Sequence, residues 1–485
     1  MILSIQDIFK NSRVKATQNL LLIRFALPQG DNMKEFKFFL ITDPHYYSKK
    51  LGAYGEAYER FMDFEQKCYA ETPYINDAVN EYLKNSTAAD TILIAGDLSF
   101  NGEKESHIEY SEELHKLQAA GKKIYVVTAS HDIEQHPFCY NGGEREVPEC
   151  ISFDKLMDYY YDFGYSSAIA FNKEHLSYVA ELNEDIRLLV LCNDTIEGAK
   201  LAYDDEFLEW IKEQAQKAQQ DGKMMIAMEH YPVLAGQPIL TLIPDARQKD
   251  SKKLIETLTD NGVHLIFTGH MHNQSINCVE TEKGNKFYDV CTGSLIGCPA
   301  FMRLVTIKDD STVEIESIPV PEFEWDKKGK TGEKYLQDQF DRMLYTMINS
   351  MRDNPARFLG KIGAGGNTSL YKPVSIIGKA LSTWTVGRIA KIFFVKAHPE
   401  IKNVKFIDAA VDLVRSVFYG DQPFTEDTPF GSTFLKVLRR LKPVLNILNK
   451  KLKGSQGEEI DLYEMLKHSA GNYGISDHNA TIKLK

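Results

Sequence analysis

Six short apolar runs recur along the first two thirds of the chain: "FKFFLIT" (36–42), "TILIAG" (91–96), "IYVVTA" (124–129), "IRLLVLC" (186–192), "MMIAM" (224–228) and "VHLIFTG" (263–269). They are apolar on both faces and often β-branched, which suits strands covered on both sides inside a layered α/β sheet. Helical patterns lie between them. "EKESHIEYSEELHKLQAAGKK" and "DDEFLEWIKEQAQKAQQDGK" both close on glycine, as helix C-caps do. From 286 to 320, "KFYDVCTGS", "FMRLVTIKD" and "TVEIESIPV" read as a run of antiparallel strands.

The character then changes. "PVPEFEWDKKGKTGEK" (319–334) is rich in Pro, Gly and Lys and marks a boundary. Beyond it, "YLQDQFDRMLYTMINSMRD", "VSIIGKALSTWTVGRIAKIFF", "FIDAAVDLVRSVFY" and "STFLKVLRRLKPVLNILNKKLK" are helical by period. The expected layout is an N-terminal extension (1–32), an α/β domain (33–320), a linker (321–334) and a helical C-terminal domain (335–485) that could form a lid. At 485 residues the chain is too long for one ordinary core, which fits this division.

Chemistry gathers where strands of open α/β sheets end. Strand 36–42 runs into Asp43-Pro-His45 and strand 91–96 into Asp97 of "GDLSFNGE". Strand 124–129 delivers "SHD", with Ser130, His131 and Asp132. Strand 224–228 delivers His230 in "EHYP", and strand 263–269 delivers His270 and His272 in "GHMH". One Asp-x-His is usually a turn or a cap; five such strand tips in order point to metal. The mixture of carboxylates and imidazoles suits manganese, iron, zinc, cobalt or nickel better than an all-oxygen magnesium site. It is too large for one ion, and a shared carboxylate can bridge two.

The series "DPH … GDLSFNGE … SHD … EHYP … GHMH" resembles the calcineurin-like metallophosphoesterases over roughly residues 36–320. That resemblance implies a four-layer α/β/β/α sandwich with mixed sheets and a dinuclear centre, manganese first among the candidate metals. It implies that Asp43, His45 and His272 hold one ion, that His230 and His270 hold the second, and that Asp97 bridges them. His131 would assist the leaving group, with Asp132 orienting it. The activity implied is hydrolysis of a phosphodiester or phosphomonoester by a metal-bridging hydroxide. "GDLSFNGEKESH" is closer to the cyclic-nucleotide and phosphodiester branch, because the D-R-G run of protein phosphatases is missing. The family has Asn where this chain has Ser130, so weaker occupancy of the second site is expected. The alternative is a catalytically weak metal-binding module whose helical domain binds a partner or a membrane surface.

Other residues carry secondary expectations. Asn101 could reach the substrate phosphate; Glu103 belongs near the start of the next helix, where negative charge is favoured. His107 is within the same segment, and His136 reads as a solvated loop histidine. The aromatic stretch 159–182 reads mainly as packing, Asn193 and Asp194 as structural, and Arg303 as a surface ion pair or, failing that, a phosphate contact. The segment 434–453 carries seven Lys or Arg and no acid; a packing or lid helix is expected over peripheral membrane contact. A net charge of −11 excludes a general nucleic-acid coat but not an anionic substrate. Seven cysteines without a C-x-x-C pair, no apolar run near ~20 residues, and an N-terminus unlike a signal peptide lead to a cytoplasmic expectation, with export left open.

Overall fold

A computed structural model of the chain describes residues 33–484, apart from 196–197, 200–201, 309–311, 362–365 and 367. The expected extension, residues 1–32, lies outside the described residues. In chain order the strands of the two large sheets are β1 (Phe36–Ile41), β2 (Thr91–Ala95), β3 (Lys123–Val127), β4 (Ala170–Asn172), β5 (Ser177–Glu181), β6 (Ile186–Leu191), β7 (Met224–Glu229), β8 (Leu265–Thr268), β9 (Ser275–Glu280), β10 (Lys286–Cys291), β11 (Phe301–Ile307), β12 (Thr312–Pro319) and β13 (Ala480–Lys483). They form two mixed sheets, ordered β13-β12-β11-β1-β2-β3 and β9-β10-β8-β7-β6-β5-β4. Every residue of β2 and β6 is buried, as their unbroken apolar runs require of strands covered on both faces.

The sheets pack face to face. Phe38 of β1 meets Phe267 of β8 edge-on at 5.3 Å, within a core that also takes Leu40, Val126, Leu188 and Val190. Helices cover the outer faces. The first sheet carries α1 (Glu56–Met62), α2 (Thr72–Asn85) and α3 (Lys104–Ala119); α4 (Asp205–Gln220) and α5 (Ser251–Asp260) cover the second. In α4 the Asp204 carboxylate accepts the Phe207 N–H at 2.8 Å, and Phe207, Leu208, Ile211, Ala215 and Ala218 recur at helical spacing on the buried face. The architecture is the expected four-layer sandwich.

The run read as antiparallel from 286 to 320 is split between the sheets. β11 and β12 do pair antiparallel, Phe301 opposite Pro319. β10 sits in the other sheet, parallel to β8 and antiparallel to β9. Apolar period shows that a strand is buried but not which strand it joins, and β9 was not foreseen.

Beyond the first two thirds come α6 (Gly332–Asp353), α7 (Pro355–Lys361), α8 (Tyr371–Thr383), α9 (Val386–Ile392), α10 (Phe406–Tyr419), α11 (Pro429–Asn449) and α12 (Leu462–Ala470). The segment 374–394, helical by period, is divided between two helices. It breaks at Trp384, and Thr385 caps the second piece through the Arg388 N–H. α11 continues through Pro443 without a break. Leu435, Leu438 and Leu445 of α11 pack on Leu462, Tyr463 and Met465 of α12 and on Leu242, whereas Val444, Ile447 and Leu448 face outward. Among the described residues no helix is long and apolar enough to cross a membrane.

The chain end returns to the first sheet, where β13 pairs with β12. Arg303 pins this return and corrects both sequence expectations for that residue. Its side chain is fully buried, and its guanidinium donates to Thr292 Oγ1, the Cys291 carbonyl and the Asp477 carbonyl at 2.9–3.0 Å. A buried guanidinium needs such partners, and each carbonyl it leaves would be stranded away from water. Arg303→Met is expected to lower unfolding stability by about 3 kcal/mol, near the upper end for single substitutions. Urea denaturation checks this; an unchanged midpoint would show the pin to be dispensable.

Candidate metal centre

The strand tips converge through strained turns. Asp43, His45, Asp97, His270 and His272 all have positive φ, between 39° and 67°. Left-handed backbone costs non-glycine residues roughly 1–3 kcal/mol each and persists only where the surroundings impose it. Here the turns after β1 and β2 are laced together: the Asp43 N–H donates to Gly96 O, His45 N–H to Asp97 O and Tyr46 N–H to Leu98 O. Two glycines make room. A Cβ on Gly96 would come within 2.5 Å of His230 Nδ1, and one on Gly269 within 2.4 Å of Asp43 Oδ2.

Two sets of ligand atoms result, each drawn within 4.8 Å: Asp43, His45 and His272 in one, Asp97, His230 and His270 in the other. In the first, His45 Nε2 lies 3.1 Å from His272 Nε2, and His272 Nε2 lies 3.2 Å from Asp43 Oδ1. Asp97 Oδ2 stands 3.5 Å from His45 Nε2 and 3.0 Å from His230 Nε2, between the sets. Its other oxygen accepts the His131 N–H at 3.1 Å.

Neighbouring carbonyls fix which nitrogens are available. A carbonyl only accepts, so His230 Nδ1, 2.8 Å from Ala95 O, carries the proton and leaves Nε2 toward Asp97. His270 Nε2 donates to Asp245 O at 3.0 Å, which leaves its Nδ1 as the free lone pair. His230 Nε2 makes no hydrogen bond despite its 3.0 Å approach to a carboxylate oxygen. A buried ring nitrogen this close to a buried carboxylate needs a cation between them, either a proton or a metal ion. The donor set therefore fits two divalent ions, with Asp97 able to serve both.

The electrostatics agree. Burial pushes the Asp43 and Asp97 carboxyls up, but the surrounding imidazoles outweigh it and hold both below the usual carboxylate range. Burial likewise disfavours charge on His230, yet Asp97 and Asp43 lift that imidazole to about 10. His270 falls to about 4, through burial and then the charge of His230.

His131 stands beside this group, its ring 5.0 Å from that of His45. Its Nδ1 meets Phe100 O at 2.9 Å and Asn101 Oδ1 at 2.6 Å, leaving Nε2 as the outward edge. Burial, then the charge of Lys67, lowers the imidazole to about 4. Asn101, expected at the substrate, thus holds His131. Asp132 does not orient that ring, contrary to expectation. Its carboxylate accepts the Ser99 and Ala129 N–H groups at 2.8 Å and braces two loops, because the short turn Ser130–Asp132 points its side chain back into the backbone.

Ser130 Oγ accepts a hydrogen bond from Tyr231 OH at 3.0 Å, and the Tyr231 ring packs 4.2 Å from that of His270. Tyr231 was not singled out, although its place directly after His230 was a usable signal. Glu103 is buried at the N-cap position of α3, and its carboxylate accepts the Asn101 N–H of the preceding turn, not a helix amide. His107 is packed on Tyr160 OH at 2.7 Å, away from the metal ligands, and His136 is exposed. Tyr160, Phe163 and Tyr178 are buried packing residues, as the aromatic stretch suggested.

Two outcomes follow for metal loading. His230 carries a second proton at neutral pH in the metal-free protein and must lose it to become a ligand, so affinity rises with pH. Calorimetry in buffers of different ionisation enthalpy is expected to show release of about one proton per chain; none released would place the ion elsewhere. Ser130→Asn, which supplies an amide oxygen, is expected to tighten the weaker site roughly tenfold, read by competitive metal titration; unchanged affinity would remove position 130 from the coordination sphere.

Comparison with protein families matches residues 36–274 to the calcineurin-like phosphoesterases. No curated protein sequence matches the chain. Among solved structures, a dimetal phosphatase from Danio rerio aligns at 13% identity and a TM-score of 0.44, covering 59% of this chain and 96% of its own. An NAD nucleotidase from Haemophilus influenzae aligns at 13% identity and a TM-score of 0.35, covering 73% of this chain and 62% of its own. The region that runs from β1 to just past the His270–His272 turn is thus the part of the chain that matches the calcineurin-like phosphoesterases.

Proposed function

We propose that this protein hydrolyses a phosphate ester, a diester in preference to a monoester, at a centre held by Asp43, His45, Asp97, His230, His270 and His272. The observation that carries this reading is Asp97 Oδ2 standing between two sets of metal-ligand atoms. A divalent pair bound there, manganese first, neutralises phosphate oxygens and lowers the pKa of water. The diester preference rests on the sequence "GDLSFNGEKESH" alone.

His131 is the group that handles the leaving oxygen. Phe100 O and Asn101 Oδ1 hold the Nδ1 proton, so Nε2 is the edge from which a proton is given. Burial and Lys67 keep the imidazole neutral in the resting protein; an anionic substrate beside it favours the imidazolium that donates. Ser130 and Tyr231 supply hydroxyls, which suit hydrogen bonding to a phosphate oxygen better than direct metal ligation. The helical region shapes the entrance, since Arg247 pairs with Glu458 and Ser455 N–H donates to Thr241 O, tying it to the loop beyond β7. A cytoplasmic setting belongs to the same proposal and rests on cysteine usage.

Metal content and turnover of bis-nitrophenyl phosphate and nitrophenyl phosphate in manganese test the reading. Two ions per chain with faster diester turnover is the expected result; two ions with no turnover of either ester would overturn it. His131→Ala is expected to keep both ions and lose roughly 10²–10⁴ in kcat, with a larger loss on alkyl esters than on nitrophenyl esters, whose leaving groups need little protonation. Equal losses on both classes would remove His131 from the proton transfer.

A further inference from the structure

Lys67 lies outside every motif, in the turn between α1 and α2, and is only 8% exposed. Among the described residues its ammonium makes no ion pair and donates no hydrogen bond; it sits 4.1 Å from the centroid of the Phe100 ring. Buried charges are ordinarily paired, and a ring face replaces only part of the hydration an ammonium gives up. The partner that suits such a cation is an anion. Phe100 locates it: the same ring lies tilted 5.8 Å from the His45 ring, and the Phe100 carbonyl accepts from His131.

The turn that carries Lys67 is held from several sides. Cys68 N–H donates to Ile296 O at 2.9 Å and Tyr69 OH to Phe138 O at 2.6 Å. Two contacts come from the helical region. Gln339 of α6 donates to Met62 O at 3.0 Å, and the Arg357 guanidinium of α7 stacks 3.6 Å over the Phe64 ring. A flexible lysine would swing to water at little cost; this one is presented on a braced loop.

We propose that Lys67 is a substrate-binding residue, its ammonium pairing with an anionic oxygen of the phosphoryl group beside His131, and that α6 and α7 serve the site by holding its loop. This rests on the phosphoesterase reading for the identity of the substrate but not for the existence of the anion site. No covalent step is involved.

The test uses the full chain loaded with manganese and compares Lys67→Met with Lys67→Arg. Lys67→Met is expected to raise both KM and the inhibition constant for inorganic phosphate about tenfold or more, with kcat moving less and metal content unchanged. Lys67→Arg, which keeps the charge, is expected to recover part of the loss. Lys67→Gln repeats the comparison if methionine disturbs the loop. Turnover with phosphate inhibition unchanged in Lys67→Met would overturn the assignment and leave the esterase intact. If the wild type binds phosphate but turns over no ester, a Lys67-dependent phosphate affinity by calorimetry supports the anion site while the esterase reading falls. Phosphate affinity independent of Lys67 overturns the site in either case.

Discussion

Two carboxylates, Asp43 and Asp97, are buried against the ring nitrogens of His45, His230 and His272, several of them within hydrogen-bond distance and one pair without a hydrogen bond to share. Carboxylates and imidazoles gathered away from water are costly, and the turns that deliver them add the strain of five left-handed residues. Only positive charge at the centre compensates such an arrangement. Much of the surrounding fold can be understood as the frame that holds it: parallel strands β1 and β2 bring the two aspartates side by side, and Gly96 and Gly269 let the second sheet's histidines approach them.

The strand tips were legible in the sequence because two periodic signals coincide there. An apolar run reports a buried strand, and the polar residues that end it report where chemistry can emerge. The two ligand sets bring Asp43, His45 and His272 together, and Asp97, His230 and His270. What the sequence could not convey was side-chain direction. Asp132 follows His131, yet turns to the Ser99 and Ala129 amides, while Asn101, thirty residues earlier, bonds the imidazole. Partner choice among strands was equally hidden, and β10 joined the second sheet through β8 and β9, not the run that follows it.

The helical region has more to do with the catalytic portion than a lid model requires. Its last strand extends the first sheet, Arg303 ties that strand's approach into the core, and α6 and α7 brace the turn around Lys67. None of these contacts has a local sequence signature, because each joins residues far apart in the chain. The outward apolar residues of α11 show that packing uses only one side of that helix.

The claim on which all of this turns is that Asp97 is shared by two ions. Electron paramagnetic resonance of the manganese-loaded protein tests it most directly, since ions about 3.5–4 Å apart through a common carboxylate are magnetically coupled. The account predicts a spin-coupled spectrum at two ions per chain that collapses to isolated-ion lines in Asp97→Asn. Isolated-ion lines from the wild type at full loading would contradict it.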